Sequence, residues 1–209
     1  MDKRINYTSH YIKENLVVRK PIPRAERKLL NKLNIAEEAA KRNNTTDFLT
    51  GLPDRNQLAI DLADAEKKLR DGKSTYAVVF FDVDNLKKVN DQLGHSEGDS
   101  LLVRISTILK YCVRDNDALY KIGGDEMIVL LRDIDPDSVD AVCTGLMKAA
   151  KTNLWHQLKI LKNDAYKDVG LSAGYATPIG DESATDVFKR SDANMYLDKQ
   201  HRKAYRTSD

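Results

Sequence analysis

The sequence has few of the residues that define disulfide-rich, membrane-spanning or strongly charged proteins. Two cysteines and one tryptophan occur among 209 residues, and the formal net charge is only +2. The longest apolar run, "YAVVFF" at residues 76–81, has the length of a strand, whereas a membrane span needs about 20 residues. The N-terminus has no apolar secretory core. We therefore expect no membrane segment and no nucleic-acid partner, and any anion site must be local.

The two cysteines are typical of core thiols. Cys112 and Cys143 each fall on the apolar face of a predicted helix, so neither a disulfide nor a metal pair is expected. Reduced thiols indicate a reducing compartment, and we predict a cytoplasmic protein.

What is present is the balance of a soluble globular protein, with 41% hydrophobic and 32% charged residues. Residues 1–24 are basic and interrupted by Pro21 and Pro23, which predicts a flexible N-terminal arm. Residues 25–44 carry a narrow apolar stripe at helical spacing. This predicts an amphipathic helix that packs on its own domain or pairs with a second copy. Residues 45–209 are predicted to form the main domain.

Hydrophobic periodicity divides the main domain into helices and strands. After a helix at about 55–70, the segments follow the order β-α-β-β-α-β, which is typical of a split βαβ, ferredoxin-like sheet. We therefore predict an α+β fold in which a central antiparallel-type sheet is flanked by helices. Residues 152–168 favour no single assignment. The predicted strands are 75–83, 118–122, 127–132 and 169–176, and the later predicted helices are 85–93, 98–113, 136–150 and 184–200.

Two pairs of acidic residues stand at the ends of neighbouring predicted strands. The first strand ends at Asp82 and Asp84, and the hairpin "KIGGDEM" carries Asp125 and Glu126 at its turn. In a split βαβ sheet the first strand lies beside the third, which brings these acids together. Neighbouring carboxylates repel each other and are costly to desolvate, so a bound cation would make the arrangement favourable. With oxygen ligands and no nearby His or Cys, Mg²⁺ or Mn²⁺ is the expected ion.

Three other patterns compete for these acidic segments. Glycine and acidic residues also form plain surface turns. An EF-hand loop beginning at Asp82 would lack an oxygen ligand at its fifth position, Leu86, and a Glu at its twelfth. A phosphatase-type DxD would need a Thr-bearing partner motif, and nothing in the sequence resembles one. Metal-assisted phosphoryl chemistry is therefore favoured.

Three longer blocks carry a family resemblance: "DFLTGLPDR" (47–55), "FDVDNLKKVNDQLGHSEGD" (81–99) and "KIGGDEM" (121–127). In order and spacing, over roughly residues 45–205, the sequence resembles the GGDEF domain family of diguanylate cyclases, with GGDEM in place of GGDEF. The resemblance implies a bacterial second-messenger enzyme. Such an enzyme condenses two GTP molecules into cyclic di-GMP and releases two pyrophosphates. Residues 45–209 would then be the catalytic domain.

The resemblance also implies the metal ligands and the catalytic residues. The implied ligands are Asp82, the Val83 carbonyl, Asp125 and Glu126, and Asp125 is also the implied general base for the 3′-hydroxyl nucleophile. Asp125, Glu126 and Lys199 form the implied catalytic set. The chemistry would be a metal-clamped in-line displacement.

The implied substrate-binding residues include a phosphate cradle, a glycine turn, a guanine-reading pair and a pair of lysines. Taken singly, each has an ordinary structural alternative: a helix cap for the guanine-reading pair, a hairpin turn for the glycines and a solvated face for the lysines. In that order, the implied residues are Asn85, Leu86 and Lys87; Gly123 and Gly124; Asn90 and Asp99 with His95 between them; and Lys199 and Lys203.

An inhibitory product site is implied by "RDND" at residues 114–117. Arg114 could stack on and hydrogen-bond to a guanine of cyclic di-GMP, while Asp117 accepts hydrogen bonds from it. The alternative is a salt bridge in a surface loop.

Several positions depart from the usual family pattern. None of the departures removes an implied metal ligand. They are Met127 for Phe, Lys121 for Arg, Asp54 for Asn and Lys203 for Arg. Near the C-terminus the family's usual small residues around the lysine are lacking, and Asp198, Arg202 and Ala204 stand in less typical places.

The resemblance leaves three functional hypotheses. The first is an active, metal-dependent diguanylate cyclase that works as a homodimer of half-sites with product inhibition. The second is a non-catalytic module that binds GTP or cyclic di-GMP and signals through its N-terminal helix. The third is a cyclase with a mixed purine product, which Asp99 disfavours.

Overall fold

The computed structural model describes residues 45–72 and 74–206. The predicted arm at 1–24 and the predicted helix at 25–44 lie outside the described residues. Within the described part of the chain, no helix is both long and apolar enough to cross a membrane.

A four-stranded antiparallel sheet forms the centre of the described fold. Its strand order is β2-β3-β1-β4, and β1 pairs antiparallel with both β3 and β4. This confirms the predicted α+β, ferredoxin-like architecture. The strands are β1, Tyr76–Asp84; β2, Ala118–Lys121; β3, Glu126–Arg132; and β4, Gly170–Ala176.

Among the described residues, five α-helices flank the sheet. The largest difference from the sequence prediction occurs in the fourth helix, α4 (Val139–Leu161), which was predicted at 136–150. It begins after a 3₁₀ turn at Pro136–Ser138 and continues through most of the ambiguous 152–168 segment. A second 3₁₀ turn, Asp164–Tyr166, precedes β4. The helices are α1, Arg55–Arg70; α2, Leu86–Leu93; α3, His95–Cys112; α4, Val139–Leu161; and α5, Ala184–Arg206.

The core consists of two clusters, one on each face of the sheet. All nine residues of β1 are buried, which explains its continuous apolar sequence, since a strand covered on both faces need not alternate. Val79 and Phe81 face the cluster that contains α3 and α4 residues, and Val78 and Phe80 face the cluster that contains α1 and α5 residues. The middle strand is therefore held from both sides.

Helix α5 lies very close to β4. A Cβ added at Gly174 would stand 2.0 Å from the backbone nitrogen of Met195, so only glycine allows this approach. Because β4 is paired with β1, the C-terminal half of α5 is brought to the end of β1 where the acidic residues lie.

Candidate active site

The acidic residues of β1 point towards the α5 side of the sheet. Asp82 and Asp84 are two residues apart and so share a face; they are only 6% and 7% exposed. Asp82 stands opposite Glu126 of β3 in the strand register. The predicted convergence of β1 with the hairpin is therefore seen in the fold.

The hairpin turn is tied to β1 by its backbone and closed by a buried lysine. Val83 N donates to the Asp125 carbonyl at 3.1 Å, and Ile122 N donates to the Glu126 carbonyl at 3.1 Å. The Lys121 ammonium donates to the Gly123 carbonyl, and to that of Gly124 at 2.8 Å. Lys121 thus provides hydrogen-bond donors to both glycine carbonyls of the turn, a role that the sequence did not predict.

Two cations of α5 face the two acids of β1. Lys199 Nζ lies 2.5 Å from Asp82 Oδ1, and Arg202 Nε lies 3.1 Å from Asp84 Oδ2. Asp84 Oδ1 also accepts a hydrogen bond from Ser172 Oγ at 2.7 Å. Each buried carboxylate therefore has a positive partner from the same helix.

Burial dominates the electrostatics of this cluster. Burial raises the pKa of the Asp82 carboxyl, and the nearby charges of Asp125 and Asp84 raise it further, although the Lys199 hydrogen bond acts in the opposite direction. Burial likewise raises the pKa of Glu126, with added repulsion from Asp125 and Asp82. Repulsion from neighbouring carboxylates therefore disfavours the ionised forms of Asp82 and Glu126, which is the condition that a bound cation would relieve.

A cavity of about 510 Å³ opens beside these residues. Its wall combines acids from β1 and the hairpin with the N-terminus of α2 and the cations of α5. Asn85, which precedes α2, has a left-handed backbone with φ of 62°, and its side chain donates to the Asp168 carbonyl at 2.6 Å. The lining residues are Val83, Asp84, Asn85, Leu86, Lys87, Asp125, Lys199, Arg202 and Lys203.

The implied guanine-reading residues lie on α2 and α3, outside the lining of that cavity. Asn90 is half-buried, and a Cβ added at Gly98 would stand 1.8 Å from its Oδ1. His95 and Asp99 are both exposed in the first turns of α3. Asp99 lies inside the helix, so the helix N-cap alternative for this residue was wrong.

The implied product site places its two residues in one tight turn. Asp117 Oδ2 accepts from Arg114 N at 3.0 Å, and Asp117 Oδ1 accepts from Arg132 N at 3.1 Å. The Arg114 side chain is exposed. Asp117 therefore stabilises the turn with one oxygen and ties it to the end of β3 with the other, whereas the Arg114 side chain faces solvent.

The described residues suit a hard divalent cation by chemistry, although they do not form a ready-made cage. In this part of the chain, no group of three or more His, Cys, Asp or Glu residues is arranged to hold a metal ion. The donors at the end of β1 are nevertheless all oxygen, as Mg²⁺ prefers. Asp84 Oδ2 is also buried without a hydrogen-bond partner among the described residues.

Arg202 is the site residue that the sequence analysis missed. It was noted only as a residue in a less typical place for the family. Its spacing of three from Lys199 was the available signal, since residues at i and i+3 share a helix face.

Comparison with known proteins agrees with this geometry. Residues 44–204 match the family described as diguanylate cyclase, GGDEF domain. The chain is 30% identical over 161 residues to a probable diguanylate cyclase, DgcJ, of Escherichia coli K12, covering 77% of this chain and 30% of DgcJ. It is 31% identical over 165 residues to the cyclic di-GMP phosphodiesterase PdeR of the same organism, covering 79% of this chain and 24% of PdeR.

A solved structure of the coiled coil and GGDEF domain of DgcB from Caulobacter crescentus, in complex with c-di-GMP, has the same fold. The TM-score is 0.64 at 21% identity, covering 85% of this chain and 92% of that one.

An α+β fold with an antiparallel sheet, and with acidic residues at the end of β1 and in the adjacent hairpin, is typical of a nucleotidyl cyclase-like domain. The chain belongs to the GGDEF family of diguanylate cyclases.

Proposed function

We propose that this protein is a diguanylate cyclase that condenses two molecules of GTP into cyclic di-GMP and releases two pyrophosphates. The observation that carries the proposal is the cavity of about 510 Å³, which is lined both by the acids Asp84 and Asp125 and by the cations Lys199 and Lys203. Cations beside an acidic metal-binding edge are what phosphoryl transfer from a nucleoside triphosphate requires.

The residues of the chain fit distinct tasks in this reaction. Lys199 and Lys203 would bind the triphosphate, and the N–H groups of Asn85 and Leu86 with Lys87 would hold its oxygens. Asp125 would accept the proton of the attacking 3′-hydroxyl. Asp82, the Val83 carbonyl, Asp125 and Glu126 would hold Mg²⁺ or Mn²⁺, which would neutralise charge on the phosphates.

The Lys199–Asp82 pair gives this assignment a physical consequence. Because Lys199 lies 2.5 Å from Asp82 Oδ1, its charge stabilises the buried carboxylate. A cation bound at Asp82 would replace that charge. Lys199 would then be available to an anionic phosphate, so metal and triphosphate binding should be cooperative.

Cyclic di-GMP contains two guanylyl units, and the proposed catalytic arrangement is a homodimer in which each protomer holds one GTP. Activity per mole of protein should therefore rise with protein concentration until the dimer is saturated. Arg114 and Asp117 form the proposed inhibitory product site.

The first test is incubation of the purified chain with GTP and Mg²⁺, with chromatographic separation of the nucleotides. The parent should form cyclic di-GMP and pyrophosphate, and Asp125→Ala should lower the rate by at least about 100-fold, as expected for loss of a general base and metal ligand. Asp181→Ala, which alters an exposed acid outside the cavity, is the matched control and should retain the parent rate.

The alternative is a non-catalytic module that binds GTP or cyclic di-GMP. The similarity to PdeR supports this alternative, since a comparable region occurs in a cyclic di-GMP phosphodiesterase. This chain spans 30% of the length of DgcJ and 24% of that of PdeR. A parent that forms no product at high protein concentration with Mg²⁺ or Mn²⁺, but binds cyclic di-GMP in an Arg114-dependent way, would establish the alternative.

A further inference from the structure

Arg202 is held in a specific position at the edge of the proposed nucleotide cavity. Its Nη1 donates to the Leu171 carbonyl at 2.8 Å, and its Nε lies 3.1 Å from Asp84 Oδ2. The side chain is only 29% exposed. The guanidinium thus donates a hydrogen bond to a carbonyl through Nη1, while its Nε is in ion-pair contact with the carboxylate and makes no hydrogen bond among the described residues. A lysine ammonium is a point charge and could not make both contacts with the same geometry.

Space for the guanidinium comes from the absence of a side chain on β4. A Cβ added at Gly170 would stand 2.1 Å from Arg202 Nη2 and 3.3 Å from Asp84 Oδ2. Gly170 is also the register partner of Asp84. The three residues therefore form one packed unit, which we call the Arg202 anchor, consisting of Asp84, Gly170 and Arg202.

The anchor compensates a buried charge that would otherwise be costly. Asp84 Oδ1 accepts from Ser172 Oγ, but Oδ2 has no hydrogen-bond partner among the described residues. Removing one partner of a buried ion pair leaves the other charge uncompensated and is strongly unfavourable. Arg202 is thus the cation in ion-pair contact with Asp84, and Lys199 adds a second nearby positive charge.

The anchor also fixes the helix turn that carries the two cavity lysines. Lys199, Arg202 and Lys203 are spaced i, i+3 and i+4 on α5 and all line the cavity. Because Arg202 ties this turn to the Leu171 carbonyl of β4, it sets the distance between the lysines and the end of β1.

The geometry points to Arg202 as a positioning residue for Lys199 and Lys203. Through its contacts with Asp84 and the Leu171 carbonyl, Arg202 holds the two lysines where they can bind the β- and γ-phosphates of the nucleotide. This inference rests on the proposed GTP site. Loss of the anchor should weaken binding of the triphosphate selectively, because the proposed guanine-reading residues lie on α2 and α3 and not on α5.

The experiment compares binding of an uncleavable triphosphate, α,β-methylene GTP, with binding of GMP, both with Mg²⁺, by isothermal titration calorimetry. Arg202→Met should raise the Kd of the triphosphate about tenfold and that of GMP less than threefold. The ratio of the GMP Kd to the triphosphate Kd, which measures the preference for the triphosphate, should therefore fall. Arg202→Lys should give an intermediate ratio. An unchanged ratio in both variants would overturn the inference.

Arg190→Met is the matched control. Arg190 is a half-buried arginine at the other end of α5, where it pairs with Glu182 at 2.6 Å and donates to the Thr177 carbonyl. The Arg190→Met variant, like Arg202→Met, should lose some stability, but it should keep the parent ratio of the two dissociation constants. If Arg190→Met lowers the preference for the triphosphate to a similar extent, the effect of Arg202→Met reflects a general loss of order in the helix, and the positioning role is rejected.

A charge-balanced variant tests the route through Asp84. In Asp84→Asn with Arg202→Met, the carboxylate and its cation are both absent, but the hydrogen bond to the Leu171 carbonyl is still lost. The double variant should therefore recover part of the lost triphosphate preference relative to Arg202→Met. A double variant no better than Arg202→Met would contradict action through Asp84.

These results separate the inference from the proposed function. A parent that binds neither nucleotide overturns both. A parent that prefers the triphosphate, with variants that keep the full preference, overturns the inference alone.

Discussion

At the scale of single residues, the site depends on charges that are buried but individually compensated. Lys121 is 6% exposed, and burial lowers the pKa of its ammonium despite the nearby acids Asp47, Asp125 and Glu126. Its hydrogen bonds to the two glycine carbonyls of the turn make this burial tolerable, since a buried charge needs partners. The usual arginine of the family is not needed to close this turn.

Gly98→Ala should weaken binding of guanine nucleotides. A Cβ at this position would stand 1.8 Å from Asn90 Oδ1, the end of a side chain that can rotate away. We expect the KM for GTP to rise about tenfold, because the displaced amide no longer presents itself to the base, while the fold survives. Steady-state kinetics and thermal melting check both parts.

Gly145→Ala is the control for that substitution. Gly145 also lies within a helix, α4, but a Cβ there meets nothing within 4 Å. Alanine should stabilise this helix by about 0.5–1 kcal/mol and leave the KM unchanged. If both variants alter the KM equally, the contact between Asn90 and Gly98 does not position a guanine reader.

At the scale of elements, turns and caps are built from acidic side chains that accept backbone hydrogen bonds. Asp54, which replaces the usual Asn of the family, caps α1 by accepting from Asn56 N and Gln57 N at 2.8 and 3.1 Å. Asn and Asp are comparable N-caps, so this departure is structurally neutral. Asp117 does similar work in the 114–117 turn.

Arg114→Ala and Asp117→Ala should separate product inhibition from stability. Arg114→Ala removes an exposed side chain and should abolish inhibition by cyclic di-GMP without lowering the Tm. Asp117→Ala orphans the N–H groups of Arg114 and Arg132, so it should also cost about 1–3 kcal/mol of stability. Initial rates with added cyclic di-GMP and urea unfolding would measure the two effects; inhibition that persists in Arg114→Ala would place the product elsewhere.

At the scale of the whole molecule, the two faces of the sheet each bury a group that titrates at alkaline pH. Burial raises the pKa of Tyr76 to about 12 on one face and the pKa of the Cys143 thiol to about 12 on the other. In the unfolded chain these groups ionise at about 10 and about 8.5. Between those values the folded state holds protons that the unfolded state has lost.

The contribution of these two groups to the free energy of unfolding should therefore be fully present below about pH 8.5 and should be lost as the pH rises towards 12. Tyr76→Phe should flatten part of this decline, by about 1 kcal/mol at pH 11 relative to pH 9. The Tyr76 hydroxyl has no hydrogen-bond partner among the described residues, so the substitution should not itself destabilise the fold. Urea unfolding of parent and variant across pH 8–11 gives the comparison, and parallel slopes would refute the role of Tyr76.

The sequence alone determined the local structure and the family. Helix α1 was predicted at 55–70 and is observed at Arg55–Arg70, and each predicted strand overlaps an observed one, because periodicity and turn residues act over short spans of chain. The motif blocks around Asp82 and Asp125 indicated the family, since their order and spacing are specific. Periodicity could not assign 152–168, where α4 continues through Leu161.

Only the tertiary structure decided which charges meet. Lys199 and Asp82 are 117 residues apart in the chain, and no local pattern specifies that α5 places Lys199 and Arg202 against the end of β1. That placement follows from the pairing of β4 with β1 and from the close approach of α5 at Gly174. Side-chain contacts across such separations depend on the packing of whole elements, so the Arg202 anchor became visible only in the folded protein.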